Sequence, residues 1–245
     1  MKLILLRHGE SQWNLENRFT GWKDVSLTKK GIQEANFSGN ELLRKNIKIS
    51  SVYTSLLKRA VETAKIVTDI VNFPQDKIKY DWRLNERHYG SLQGLNKSET
   101  AKKYGEEQVH IWRRSYDIPP PPLNIDDKRH SKFNEKFNSI KEPLPNGESL
   151  KNVIDRLNPF WYEYISSRTS EGNHLIVAHS NSLRAIIKIL DKLSDSDISS
   201  VNIPTGVPLI YECDEKLNVL NKKYLISNNE LQKKIDKVVN QGKVK

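Results

Sequence analysis

Two short apolar runs each end on a histidine followed by a small residue: LILLRHG at 3–9 and LIVAHS at 175–180. Neither alternates apolar with polar, so each reads as a strand buried on both faces, as strands of a parallel sheet do. The first strand is expected over 2–7 and the second over 174–180. A strand covered on both sides needs a layer on each side, which constrains the fold more than any other feature of the chain. Helical patterns lie between them. After Thr28, an N-cap, Ile32, Ala35, Leu42 and Leu43 recur at helical spacing. SVYTS at 51–55 is β-rich, and the stretch after it sets Ala60, Ala64, Val67 and Val71 on one stripe of a helix. Strands and helices in alternation imply right-handed crossovers. The fold class is therefore α/β, a three-layer sandwich with a mostly parallel central sheet flanked by helices.

The middle of the chain is less regular. Residues 80–99 mix charge, aromatics and glycine, as a loop over a site does. A helical stretch over 97–116 precedes IPPPPL, where proline lacks the N–H and excludes helix from the residue before it. Residues 124–147 are polar and lysine-rich and read as an exposed excursion. From Glu148 to Arg168 the pattern is helical again, and Pro159 inside it predicts a kink or two abutting helices. A further helix is expected over 181–193, and PLIYEC and VLNKKYLI read as a closing pair of strands. No repeat or linker divides the chain, so one domain is expected over 1–245, ending in a mobile basic tail over about 229–245.

Bulk properties narrow the class. With 245 residues the chain buries a large core without a metal or disulfide as a staple. Cys213 is the only cysteine, which implies a reducing compartment, and a cytoplasmic location is expected. LILL is too short for the apolar part of a signal peptide, and Arg7, His8 and Glu10 follow at once. No run reaches the roughly 18–20 apolar residues of a membrane span. The net charge of +10 attracts polyanions, whether nucleic acid, membrane surface or small phosphorylated metabolites. No aromatic-interleaved basic motif or helix-turn-helix signal accompanies it, so neither nucleic acid nor membrane is the expected partner.

Side chains at the carboxyl ends of parallel strands converge in the crevice where α/β folds bind ligands. Arg7, His8 and His179 stand at such ends, and VYTSLLKRA puts Arg59 one turn into a helix on the same side. Two imidazoles among arginines would repel as cations, so an anion belongs between them. Phosphate fits, because the guanidinium fork matches its oxygens and keeps its charge. Cationic neighbours depress a histidine pKa and leave a neutral imidazole as nucleophile. One of the two histidines can then attack phosphorus, while the other donors stabilise the equatorial oxygens. No metal is expected, since two histidines without a cysteine or carboxylate cluster make a poor zinc site. Glu86, in the polar segment LNERHYG, is the candidate general acid. His88, His110, His130 and His174 read as structural.

The segments LLRHGES.WN, RFTGW.D..L...G, SLLKRA..TA, LNERHYG.LQGLNK, WRRSYD.PPP, ESL.....R..PFW and AHSNSLRA closely resemble the cofactor-dependent phosphoglycerate mutases of the histidine phosphatase superfamily. The likeness runs through NIPTGVPL to the end of the chain. It implies that family's fold, with His8 as the phosphorylated residue, Arg7, Arg59 and His179 around the phosphate, and Glu86 as proton donor. It also implies a substrate pocket lined by Asn14, Thr20, Gly21, Arg87, Tyr89, Lys97, Arg113, Arg114 and Asn181. Lys97, Arg113 and Arg114 suit a second anion clamp, for a carboxylate or a distal phosphate. The implied reaction interconverts 3-phosphoglycerate and 2-phosphoglycerate, in glycolysis and gluconeogenesis, through a phosphohistidine and 2,3-bisphosphoglycerate, which also primes the enzyme. The implied partners are small phosphorylated three-carbon acids and further copies of the chain, as a dimer or tetramer. Two departures stand out. Ser180 occupies a pocket position where the family usually has glycine, and residues 124–142 match only loosely. The same fold working as a phosphatase or a bisphosphoglycerate mutase is the alternative, decided by water access to phosphorylated His8.

Overall fold

The apolar run at the start of the chain becomes the middle of a sheet. The computed structural model describes residues 1–241 and 243 and contains β1 (Lys2–Arg7), α1 (Gln12–Leu15), α2 (Lys29–Arg44), β2 (Ser51–Thr54), α3 (Lys58–Ile70), β3 (Lys79–Tyr80), α4 (Lys97–Tyr104) and α5 (Glu106–Arg114). It continues through α6 (Leu150–Tyr164), β4 (His174–Ala178), α7 (Ser180–Asp191), β5 (Leu209–Cys213), β6 (Val219–Tyr224) and α8 (Asn228–Val239). The strands lie in the order β3-β2-β4-β1-β5-β6. The first four are mutually parallel, and β5 and β6 close the sheet antiparallel.

Alternation along β1 divides the core into two layers. Leu3 and Leu5 join Leu150, Leu157 and Phe160 of α6 and Leu183 and Ile186 of α7 on one face. Ile4 and Leu6 join Leu42 of α2 and Ala64 and Val67 of α3 on the other. This is the expected three-layer α/β sandwich, and it brings the carboxyl ends of β2, β4 and β1 side by side. Register pairs Arg7 with Ala178 and Thr54 with Val177, so the residues just past these strands share one edge. No described helix is long and apolar enough to cross a membrane.

Several local expectations are corrected. On α2, Ile32 and Leu43 are 45 % and 51 % exposed, and the buried face is instead Gly31, Glu34, Ala35, Ser38, Gly39 and Leu42. Small residues face inward because α2 and α3 approach closely: a Cβ on Gly39 would lie 2.8 Å from Cδ1 of Ile70. The helical stretch at 97–116 is two helices, broken at Gly105, whose φ of +87° an L side chain rarely adopts. Pro159 lies inside one continuous helix, α6, and does not divide it into two. Residues 124–147 are not simply exposed: Phe137 is buried with its ring 5.0 Å from Trp22, and His130 and Ser131 are buried too. The strand at 174–180 stops at Ala178, where His179 caps α7.

The basic tail is helical over Asn228–Val239, where Ser227 accepts a hydrogen bond from the Glu230 amide. Lys234 reaches Glu34 at 2.9 Å and Lys237 reaches Glu10 at 3.0 Å. Those carboxylates belong to α2 and to the loop after β1, so the pairing is invisible in the tail's own composition. Residues 242, 244 and 245, part of the expected mobile tail, lie outside the described residues.

Candidate active site

The segment after β1 turns sharply against the start of α2. A Cβ on Gly9 would sit 2.2 Å from the carbonyl oxygen of Gly31, and one on Gly31 would sit 2.1 Å from that of Glu10. Two backbones thus meet with no room for side chains, and this close approach holds His8 in place. The His8 amide donates to Ala178 O at 3.0 Å, and its Nδ1 lies 2.7 Å from Gly9 O. A carbonyl oxygen only accepts, so Nδ1 carries the proton and Nε2 carries the lone pair. Arg59 donates from Nε to that Nε2 at 3.2 Å. Its other nitrogens donate to Lys23 O at 3.0 Å and Gly21 O at 2.9 Å, so the guanidinium is fixed by backbone.

His179 lies next to it, with ring centroids 5.0 Å apart. Its Nε2 is 2.7 Å from Oγ of Ser55, the residue following β2, and that Oγ already accepts from the Leu57 amide at 3.1 Å. The Ser55 hydroxyl can donate to Nε2 or accept from it, and the buried Nδ1 of His179 has no partner. The two histidines therefore differ in setting: His8 holds its Nδ1 proton against Gly9 O, and His179 has its Nε2 against Ser55 Oγ. Burial, then the charges of Arg59 and Arg7, holds the His8 pKa well below its ordinary value. Burial, then Arg59 and His8, does the same for His179. Both rings are neutral at physiological pH.

Glu86 sits in the segment between β3 and α4. Its Oε1 accepts from the Arg87 amide at 2.8 Å, the Asn181 amide at 3.1 Å and Asn181 Nδ2 at 2.9 Å. All three donors converge on Oε1. Asn181 Nδ2 also contacts the Tyr89 hydroxyl at 3.2 Å, and Arg184 donates to Asn181 Oδ1 at 2.9 Å, which sets the amide's orientation.

Arg7, Asn14, Thr20, Glu86, Tyr89, Lys97, Arg113, Arg114, Ser180 and Asn181 line one cavity. His8, His179 and Arg59 are buried and do not line it, the two histidines standing one residue along the chain from lining residues Arg7 and Ser180. Gly21 and Arg87 do not line it. Gly21 anchors Arg59 through its carbonyl, and Arg87 packs its guanidinium 4.9 Å from the Tyr89 ring centre. Glu86 is the one carboxylate among the described residues of the wall. Burial lowers the pKa of Arg7, takes Arg59 down to about 10, and holds Lys97 and Arg114 well below their usual values, the last two with help from Arg113. Cations under such mutual strain are relieved by an incoming anion. Among the described residues, no group of three or more histidine, cysteine or carboxylate side chains gathers at metal-holding distance.

Gln241 and Val238 complete the wall. Lys97 donates to Gln241 Oε1 at 3.1 Å, and Arg113 donates to the Gln241 carbonyl. The cavity under this cover is only about 40 Å³, room for about three waters. Sequence reasoning missed Ser55, Arg184, Arg18 and Gln241 in or around the site. The strand-end rule that singled out His8 and His179 applies equally to Ser55, and Arg184 stands in the AHSNSLRA segment. Gln241 carries no local signal, arriving from 144 positions beyond Lys97.

The sequence model of the histidine phosphatase superfamily (branch 1) matches residues 3–224. The chain is 51 % identical to the Bacteroides thetaiotaomicron protein called 2,3-bisphosphoglycerate-dependent phosphoglycerate mutase 2, over 100 % of this chain and 99 % of that one. Its fold matches a solved mycobacterial glucosyl-3-phosphoglycerate phosphatase complexed with VO3, at a TM-score of 0.69 and 20 % identity, covering 93 % and 98 % of the two chains. It also matches a putative alpha-ribazole-5'-P phosphatase from Escherichia coli at a TM-score of 0.65 and 21 % identity, covering 93 % and 96 %.

Proposed function

The chain belongs to the histidine phosphatase superfamily, and from that membership we propose that it interconverts 3-phosphoglycerate and 2-phosphoglycerate as a 2,3-bisphosphoglycerate-dependent phosphoglycerate mutase, in glycolysis and gluconeogenesis. The observation that carries this reading is the 51 % identity to an enzyme of that name along the full length of both chains. The geometry of the site supports the chemistry. His8 is neutral, and its Nε2 lone pair attacks phosphorus. The Nδ1–H bond to Gly9 O takes up the positive charge that develops on the ring. Arg7, Arg59 and His179 receive the phosphoryl oxygens, which spread their charge over donors already in place. Glu86 gives a proton to the departing oxygen and, in the reverse sense, takes one from the attacking hydroxyl.

Lys97, Arg113 and Arg114 hold the far end of the substrate. 2,3-Bisphosphoglycerate, when bound, supplies the phosphoryl group that loads His8. A buried donor of the wall without a protein partner, Nε of Arg7, fits a ligand so rich in anionic oxygens. Val238 and Gln241 form part of the cavity wall, and the segment at 238–241 withdraws to admit a phosphorylated three-carbon acid. Its return shuts out water, which favours transfer back to a sugar-acid hydroxyl over hydrolysis.

Phosphorus NMR of 3-phosphoglycerate incubated with the protein and EDTA, with and without catalytic 2,3-bisphosphoglycerate, tests this. Formation of 2-phosphoglycerate that needs the bisphosphate and is lost in His8→Ala is the expected result. Inorganic phosphate released without isomerisation would make the protein a phosphatase instead.

A further inference from the structure

Residues 83–88 carry Glu86 through the interior with only a short 3-10 turn at Trp82–Leu84 for regular structure. A buried segment without a ladder leaves its backbone groups in need of partners. Two residues outside the cavity wall supply them, and both come from the ESL.....R segment that the site has so far not used. Arg156, on α6, donates from Nη1 to Arg83 O at 2.6 Å and from Nη2 to Asn85 O at 2.9 Å and Glu86 O at 3.1 Å. It also forks onto Glu148, Nε to Oε1 at 2.7 Å and Nη2 to Oε2 at 3.2 Å. Glu148 Oε2 accepts in turn from the His88 amide at 2.7 Å, and the Glu148 amide donates to His88 O at 2.9 Å. Both side chains are buried, at 8 % and 4 % exposure. Trp22 and Trp82 pack against the guanidinium, each ring centre 5.9 Å away, and Trp22 Nε1 donates to Glu86 O at 2.6 Å.

The main chain on both sides of Glu86 is thus held by one ion pair, with Trp22 as a further support. The supports of His8 are different ones: Ala178 O, Gly9 O and Arg59. We propose that Arg156 and Glu148 are positioning residues for the Glu86 carboxyl, governing the proton transfer and not the attack by His8. The inference rests on the reading of Glu86 as proton donor. In that step the His8 Nε2 lone pair forms the N–P bond and the P–O bond to the leaving oxygen breaks. That oxygen takes the Glu86 proton, and Glu86 is left as carboxylate. An alkyl oxygen needs this proton, whereas a nitrophenolate departs without one. Lysine at 156 keeps the charge but lacks the planar fork, so it cannot span Glu148 and three carbonyls at once.

The experiment is rapid-quench phosphorylation of His8 in the full-length protein, from 2,3-bisphosphoglycerate and from 4-nitrophenyl phosphate. Wild type, Arg156→Lys, Glu148→Gln and Glu86→Gln are compared, Glu148→Gln serving as the milder variant because it keeps the side-chain shape. Arg156→Lys should slow transfer from the bisphosphate about 10²-fold, the effect of a misplaced catalytic group, and change transfer from the aryl ester by no more than about threefold. Glu86→Gln should show the same split between the two donors. If Glu86→Gln splits them but the two pair variants slow both esters alike, or neither, the pair has no positioning role and the proposal fails. If Glu86→Gln shows no split, the reading of Glu86 as proton donor falls, and with it the ground for the proposal.

Discussion

Gly9→Ala isolates what the turn after β1 does for His8. The added methyl would stand 2.2 Å from Gly31 O and 2.8 Å from its carbonyl carbon. Both atoms are backbone, so no side chain can swing aside. Ordinary contact begins at 3.4 Å, and one backbone must give way by about 1.2 Å. Overpacking of this kind costs about 1–3 kcal/mol, or a fall in Tm of about 2–12 °C in a chain of this size. The same shift moves Gly9 O, which orients His8 through Nδ1. A displacement near 1 Å at a nucleophile costs about 10²-fold in rate. Urea unfolding reads the first effect, and rapid-quench phosphorylation at saturating 2,3-bisphosphoglycerate reads the second. Gly172→Ala is the control, because Gly172 precedes β4 at the opposite end of the sheet and has φ +99°. It should lose stability and phosphorylate His8 normally. Wild-type stability and rate in Gly9→Ala would refute the steric argument, and equal slowing in both variants would show that the rate merely follows stability.

The His8 tautomer gives a second test. Long-range proton–nitrogen spectra at pH 7 should show His8 as the neutral Nδ1–H form, and Ser55→Ala should disturb His179 alone and slow His8 phosphorylation about tenfold, the loss of one hydrogen bond. Stability should also fall on acidification. Burial takes the His88 pKa down to about 4, so between there and about 6.5 the unfolded chain binds a proton that the folded state refuses. This contribution is complete above pH 6.5 and reverses as pH drops through the window, by about 3 kcal/mol. His8, His174 and His179 act in the same direction. Urea midpoints that stay level from pH 7 to pH 4.5 would contradict it.

Local pattern was enough to reveal the layers and the strand ends. Unbroken apolar runs at 3–6 and 175–178 require cover on both faces, and period and hydrophobicity are properties of neighbouring residues. His8, His179 and Arg7 could be read as one group because a parallel sheet brings carboxyl ends together whatever the details of packing. Helix faces were less legible where close approach overrode hydrophobicity, as at Ile32 and Leu43. The tail reads as charge and turns out to be a helix held by Glu10 and Glu34, carboxylates about two hundred positions earlier.

Gly9 shows where local reading stops. From the sequence it is a flexible residue beside two basic ones. In the fold its φ is not positive, and its lack of a side chain matters because Gly31 occupies the space. The difference between the histidines has the same origin. LILLRHG and LIVAHS are alike as sequences, but Gly9 O faces one ring and Ser55 Oγ the other, an acceptor in one case and a hydroxyl in the other. Periodicity within a segment records which face is buried. It holds no record of which distant atom will stand 2.7 Å from a ring nitrogen, because that contact exists only after the segments pack.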